Sequence, residues 1–135
     1  MKFIRVLKAF DINERLSSAV ANTSSTAPLE NLLSQGADVN YRDDFKKATP
    51  LMWASAWGNL EAIKILLKHN AKINLKDVEG DTALMYAASK GQLEAVKLLL
   101  EAGANKDIMN KDHITAQTYA DMYNHEEISK LLETI

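Results

Sequence analysis

The sequence predicts an all-α protein, a solenoid in which about four helix–turn–helix units stack in one row. The first observation is a pattern, Thr-x-x-x-aromatic-Ala, which begins at Thr49, Thr82 and Thr115 and so recurs every 33 residues. The second is that a pair of adjacent leucines returns at the same spacing, at 66–67 and 99–100. A unit of this length cannot bury its apolar face alone, so such a period indicates an array of stacked units.

The same spacing divides the chain into four units, of which the first and last are less regular. Residues 32–40 match residues 66–74 with an offset of 34, which places one extra residue between positions 43 and 49. Leu16 and Ala19 take the places of Leu51 and Ala54 after a further insertion near residues 22–26. We therefore predict a single domain over 1–135, with an N-terminal amphipathic segment at 1–13 and repeats at about 14–43, 44–77, 78–110 and 111–135.

One complete repeat shows why each element forms. Thr49 is suited to cap a short helix, because its hydroxyl can accept from a free backbone amide, and Pro50 at the first helical position needs no amide hydrogen. Gly58 ends that helix. A second helix follows over 60–68, where Ile63, Leu66 and Leu67 form one apolar face.

The segment after the second helix is predicted to be a projecting loop. Asn70, like Gly36 and Gly103 in the neighbouring units, can take the left-handed conformation that ends a helix. Residues 71–80 alternate in polarity and contain a turn, which is typical of a β-hairpin. Each repeat is thus expected to read helix, helix, hairpin-like loop.

These residues resemble the ankyrin repeat. The matching pattern is Thr-Pro-Leu-x-x-Ala, a Gly four residues later, an apolar-x-x-Leu-Leu run and Gly-Ala-x-x-Asn, and it covers nearly the whole chain after about residue 14. The departures are Met52 and Met85 in place of His, Asn70 and Asn124 in place of Gly, and Lys106 at an apolar position. The resemblance implies that the first helices and loop tips line a concave side, where protein partners usually bind.

Both ends of the chain are predicted to act as caps. In the last unit Glu126, Ser129 and Glu133 replace apolar residues of the inner repeats. Because a solenoid needs a polar end to stay soluble, we expect no fifth repeat. At the other end, a short N-terminal helix with Phe3, Leu7 and Phe10 on one face is expected to pack over the first repeat. A membrane-surface anchor or an export signal is the alternative.

Composition and charge exclude several classes of function. The chain of 135 residues is 47% hydrophobic and 25% charged, and its net charge is −2, so it lacks the basic excess that nucleic-acid binding requires. It contains no Cys, and no apolar run approaches the ~18 residues that span a bilayer. We expect a monomeric cytoplasmic protein without nucleic-acid binding or membrane insertion, although secretion as an effector stays open.

Aromatic residues mark the candidate binding surface. One aromatic recurs in each of three repeats, as Trp53, Tyr86 and Tyr119, and these three could serve either inter-repeat packing or a partner. One helical turn further on, at positions 57, 90 and 123, the repeat does not require an apolar side chain for its core. An aromatic residue at one of these positions therefore favours contact with a partner. The predicted partner-binding residues are Phe45, Trp53, Trp57, Tyr86, Lys90, Tyr119 and Tyr123.

The sequence offers little for catalysis. His125-Glu126 begins like a zinc-binding His-Glu-x-x-His helix, but Ser129 stands where the second His is needed. No nucleophile elbow, phosphate-binding Gly loop or close carboxylate pair occurs. We therefore predict no enzyme activity, no catalytic residues, no metal and no cofactor.

The predicted function is that of a non-catalytic interaction module, which binds another protein through its concave face as an inhibitor, adaptor or scaffold. Two alternatives remain open from the residues alone. One is a receptor that binds a small molecule or peptide in the aromatic groove. The other is a structural or regulatory subunit of an enzyme complex.

Overall fold

The structure is a computed structural model and describes residues 12–135. This part of the chain forms four pairs of helices. Within that range there is no β-strand, and the predicted all-α repeat architecture is confirmed. The predicted N-terminal helix with Phe3 and Leu7 lies outside the described residues. The helices are α1 (12–19), α2 (Ala27–Ser34), α3 (Pro50–Trp57), α4 (Leu60–Lys68), α5 (Ala83–Ser89), α6 (Leu93–Glu101), α7 (Ala116–Met122) and α8 (Glu126–Thr134).

Threonine caps start the first helices of the last three repeats. The Thr49 hydroxyl accepts from the Met52 amide at 3.3 Å, and Thr82 and Thr115 make the equivalent bond. Each hydroxyl satisfies an amide that has no partner within the helix. The predicted capping of α3 by Thr49 is therefore confirmed, and the same local signal sets the start of α5 and α7.

The two asparagines that depart from the repeat pattern keep its backbone geometry. Asn70, after α4, has φ 67°, and Asn124, after α7, has φ 61°. Both are thus left-handed, as the glycines at the equivalent positions of other repeats are. Asn is among the few non-glycine residues that tolerate this conformation, so the substitutions leave the helix ends unchanged.

The first helices pack more closely on one another than the second helices do. The first helices bury alanines such as Ala54 and Ala87, whose small side chains let backbones approach, whereas the second helices bury mainly larger side chains such as Ile63 and Leu99. A stack in which one row is more tightly spaced curves toward that row. The first helices α3, α5 and α7 therefore line the concave side.

A ladder of polar side chains joins each repeat to the one before it. The residue just before the second helix donates to a backbone carbonyl near the end of the previous first helix. The pairs are Asn59 to Val20 at 2.8 Å, Gln92 to Ala56 at 3.0 Å and His125 Nε2 to Ser89 at 3.1 Å. His125, which the sequence analysis compared with a zinc ligand, thus lies in an inter-repeat contact.

The C-terminal end of the stack carries polar groups where the inner repeats are apolar. Lys106, at the position of Val39 and Ile73, donates to the carbonyl of Leu132 at 3.0 Å, close to the end of α8. A cation at this end also complements the helix dipole. Glu126 and Glu133 are exposed. No helix within residues 12–135 is both long enough and apolar enough to cross a membrane.

Candidate functional site

Three rows of equivalent residues run along the concave side, one residue per repeat in each row. The central row lies on the first helices, the helix-end row lies one helical turn further on, and the loop-tip row lies in the turns that precede the helices. We call these nine residues the aromatic grid. Its rows are Trp53, Tyr86 and Tyr119; Trp57, Lys90 and Tyr123; and Phe45, Val78 and Lys111.

The central row forms the floor of the grid. Tyr86 is only 8% exposed and meets Trp53 edge to face, with ring centroids 5.8 Å apart. The Lys46 ammonium lies 5.6 Å from the centroid of the Tyr86 ring, within the range of a cation–π contact. Burial at this position shows that Tyr86 serves the packing between repeats, which was one of its two predicted roles.

Hydrogen bonds tie the central row to the loops. The Trp53 indole donates to Asp43 Oδ2 at 2.7 Å, and the Tyr86 hydroxyl donates to Asp77 Oδ2 at 2.5 Å. Asp43 and Asp77 also accept from backbone amides within their own turns, as expected for Asp in a tight turn. Each carboxylate thereby holds a loop and an aromatic ring in a fixed relation.

The third repeat and the fourth share a variant of this arrangement. Asn110 stands where Asp43 and Asp77 stand, and its Oδ1 accepts from the backbone amides of Asp112 and Ile114. Its NH2 group, a donor, therefore faces the Tyr119 hydroxyl. The hydroxyl instead donates to Asp81 Oδ1 at 3.0 Å, and Asn110 donates to the same oxygen at 2.8 Å. Asp81 belongs to the preceding loop, so this bond crosses between repeats.

The network shifts the pKa values of its members in opposite directions. Burial alone would raise the pKa of the Asp43 carboxyl, but hydrogen bonds from backbone amides, that of Lys46 above all, and from the Trp53 indole hold it below its ordinary value. Burial, followed by the hydrogen bond to Asp77, raises the pKa of the Tyr86 phenol far above its ordinary value. Its hydroxyl therefore stays protonated and remains a donor.

Backbone hydrogen bonds also join neighbouring loop tips. The Val78 amide donates to the Lys46 carbonyl at 2.8 Å, and the Lys111 amide donates to the Glu79 carbonyl at 3.0 Å. The chain passes so closely here that a Cβ on Gly80 would lie 3.1 Å from the Lys111 nitrogen. The loop-tip row is consequently held in place before any partner arrives.

The outer rows contribute the exposed aromatic surface. Phe45 is 83% exposed, Trp57 59% and Tyr123 53%, while Val78 is 45% exposed. Tyr123 stacks on Tyr119 at a centroid distance of 6.4 Å and an interplanar angle of 12°. The fold holds the backbone of these residues in place, while much of each side chain is open to solvent.

A cavity of about 200 Å³ lies across the second, third and fourth repeats. It brings together four of the seven predicted residues, whereas Phe45, Trp53 and Trp57 lie outside its lining. A larger cavity of about 500 Å³ lies between α1 and α2 and contains none of the predicted residues. The lining of the smaller cavity is Lys46, Asp81, Met85, Tyr86, Ser89, Lys90, Tyr119 and Tyr123.

Sequence reasoning missed three residues of this surface. Val78 and Lys111 could have been found, because they follow Phe45 at the repeat spacing of 33 residues. Lys46 had no such signal, since its place over the Tyr86 ring depends on how one loop lies against the next repeat. Among residues 12–135, no group of three or more His, Asp or Glu side chains could hold a metal ion.

A row of helix pairs with one period and one continuous surface defines a helical-repeat protein of the solenoid class. The family described as "Ankyrin repeats (3 copies)" matches residues 16–112. The chain belongs to the ankyrin-repeat family, as the sequence predicted, and ankyrin repeats are general protein–protein interaction modules.

Several curated proteins are similar to parts of this chain. "Phosphate system positive regulatory protein PHO81" of Saccharomyces cerevisiae is 45% identical over 49 residues, 36% of this chain and 4% of that protein. "Palmitoyltransferase ZDHHC17" of Danio rerio is 35% identical over 63 residues, 47% of this chain and 10% of that protein. "E3 ubiquitin-protein ligase mind-bomb" of Drosophila melanogaster is 38% identical over 64 residues, 47% of this chain and 5% of that protein. The chain thus matches a tenth or less of these relatives.

Proposed function

We propose that this chain is a non-catalytic module that binds another protein through its concave face, with the aromatic grid as the contact surface. The observation that carries the proposal is the exposure of Phe45, Trp57 and Tyr123. The stack does not need these side chains, because they lie outside its buried core. Exposed Trp and Tyr are the residue types that dominate interface energies, often by ~2 kcal/mol or more on truncation.

The rigidity of the surface supports the same proposal. Hydrogen bonds from Trp53 to Asp43 and from Tyr86 to Asp77 hold the loops against the helices. A partner that docks on such a surface has little chain ordering to oppose it, since hydrogen bonds already hold the loops in place. We propose that the module works in the cytoplasm as a monomer, which its cysteine-free composition permits.

A receptor for a small molecule is less well supported. The cavity on the grid measures about 200 Å³, below the ~300–1,000 Å³ typical of small-molecule sites. The exposed side chains of Phe45 and Trp57 lie outside the cavity lining. A small molecule in the cavity would leave them uncovered, whereas a protein surface would cover them. The proposed binding to a partner protein is compatible with a role as an inhibitor, an adaptor or a scaffold.

The test is an affinity pull-down from native lysate, with the wild type beside a Trp57→Ala, Tyr123→Ala double variant. Both side chains are more than half exposed, so their removal leaves the core intact. A Glu94→Ala, Lys97→Ala double variant is the matched control, because this exposed ion pair lies on the second helix of its repeat. We expect mass spectrometry to identify a protein that the wild type and the control retain and the aromatic variant loses. Retention of the same protein by all three would contradict the assigned surface.

A further inference from the structure

Two lysines without a carboxylate partner lie beside the aromatic floor of the grid. Lys46 and Lys90 both line the cavity, and the Lys46 ammonium is held over the Tyr86 ring. Within residues 12–135, neither forms an ion pair within 4.0 Å. By contrast, Lys64 and Lys97 on the second helices each pair with a glutamate three residues earlier. The unpaired cations of the repeats thus include two on the proposed binding face.

The carboxylates near these lysines already have donors. Asp43 and Asp77 each accept an aromatic donor together with backbone amides, and Asp81 accepts from Asn110 and Tyr119. Helices α3 and α5, which carry the neighbouring part of the grid, contain no charged residue. The cavity lining thus carries three charged side chains. The carboxylate of Asp81 is engaged by Asn110 and Tyr119, while Lys46 and Lys90 have no carboxylate of the described residues within 4.0 Å.

We propose that the partner presents an extended peptide segment in which an Asp or Glu docks between Lys46 and Lys90 and flanking apolar side chains contact Tyr119 and Tyr123. This inference rests on the proposed function and adds the chemistry of the partner to it. A carboxylate in this place meets two cations and the one carboxylate of Asp81, so the lining has an excess of one positive charge that favours an acidic segment. A basic segment meets that excess as like charge, which costs affinity. The stacked rings of Tyr119 and Tyr123 supply a flat apolar wall beside the charges.

The dimensions of the surface favour an extended segment. Neighbouring helices pack ~8–10 Å apart, so the grid spans roughly 20 Å across three repeats. An extended chain advances ~3.3–3.6 Å per residue, so about six residues cover this distance. At about 200 Å³ the cavity is small, which suits one or two side chains of a peptide laid along the surface.

The test selects peptides without assuming a sequence. A displayed library of random 12-residue peptides is enriched on the immobilised wild-type chain, and the selected peptides are synthesised. Their affinities are measured by the change in tryptophan fluorescence, which reports on this surface because Trp53 and Trp57 are the only two tryptophans. Each peptide is also made with its Asp and Glu residues replaced by Asn and Gln.

The decisive comparison uses two double variants that each remove two positive charges. We expect Lys46→Gln, Lys90→Gln to weaken the selected peptides about three- to thirtyfold, as the loss of two partly exposed ion pairs implies. The matched control Lys64→Gln, Lys97→Gln should leave affinity unchanged. The Asn and Gln peptides should bind the wild type as weakly as the acidic peptides bind the Lys46→Gln, Lys90→Gln variant.

The outcomes separate this inference from the function on which it rests. One outcome is that the selected peptides bind the Trp57→Ala, Tyr123→Ala variant weakly but either carry no acidic residue or bind the Lys46→Gln, Lys90→Gln variant as tightly as the wild type. That outcome would overturn the acidic partner, while the proposed binding surface would still hold. Peptides that bind equally well to the aromatic variant would overturn the surface itself. Failure to enrich any peptide would overturn the docking of an extended segment.

Discussion

The close approach of two loops at Gly80 gives a prediction whose size can be worked from the geometry. Gly80 has φ +85°, and an added Cβ would lie 3.1 Å from the Asn110 Cα and from the Lys111 nitrogen. Gly103 has a similar φ of +96°, but nothing lies within 4 Å of its added Cβ. Alanine at either position suffers the same backbone strain, so the difference between them isolates the contact between loops.

The two effects have different magnitudes. A positive φ costs a residue with a Cβ ~1–2 kcal/mol, so we expect Gly103→Ala to lower the free energy of unfolding by about 1 kcal/mol. At Gly80 the neighbour is backbone and cannot rotate aside, and forcing extra volume into a packed site adds ~1–3 kcal/mol. We therefore expect Gly80→Ala to cost about 2–4 kcal/mol and to break the bond from the Lys111 amide to the Glu79 carbonyl.

Urea denaturation followed by circular dichroism measures both variants against the wild type. Because the shifted loop carries the loop-tip row, Gly80→Ala should also weaken any ligand of the grid, while Gly103→Ala should not. Equal losses of stability in the two variants would refute the reasoning, since the loops would then not touch at Gly80. A loss of stability at Gly80 without any loss of binding would refute the link to the binding surface.

Two further predictions concern the core and the hydrogen-bond network. Leu66→Asp and Leu99→Asp should each abolish cooperative melting, because both side chains are fully buried and an unpaired buried charge costs several kcal/mol of a total near ~5–15; a normal melt of either would contradict the repeat register. Trp53→Phe removes a donor to Asp43 and should cost about 1 kcal/mol at pH 7. The lowered pKa of Asp43 means that this contribution is present above about pH 4 and is lost as the pH falls. The difference in free energy of unfolding between Trp53→Phe and the wild type should therefore be smaller at ~pH 3 than at pH 7. A gap of the same size at both pH values would show that Trp53 acts through packing alone.

Local features made most of the fold predictable. The hydroxyl of Thr49, the missing amide hydrogen of Pro50 and the left-handed Gly58 all act within one helical turn, and the structure places α3 between them. The spacing of Ile63 and Leu66 sets the buried face of the second helix in the same way. Such signals depend on residues a few positions apart, so they can be read directly from the chain.

The proposed binding surface was predicted only in part. The spacing placed Trp57 and Tyr123 on one row, and both are exposed as expected. It could not decide between packing and exposure for Tyr86, whose burial depends on a neighbouring ring and on the Asp77 carboxylate. It also did not reveal Lys46, whose ammonium meets a ring that lies 40 positions away in the chain.

The sequence by itself determined the period, the helix bounds and the family, because helix caps, turns and apolar faces are set by residues close together in the chain. The tertiary structure alone decided the curvature, the polar ladder through Gln92 and His125, and the placement of Lys46 and Lys90 around one cavity. These features join atoms from different repeats. Their distances follow from how closely the helices pack and how the loops meet, and no spacing within the chain records either quantity.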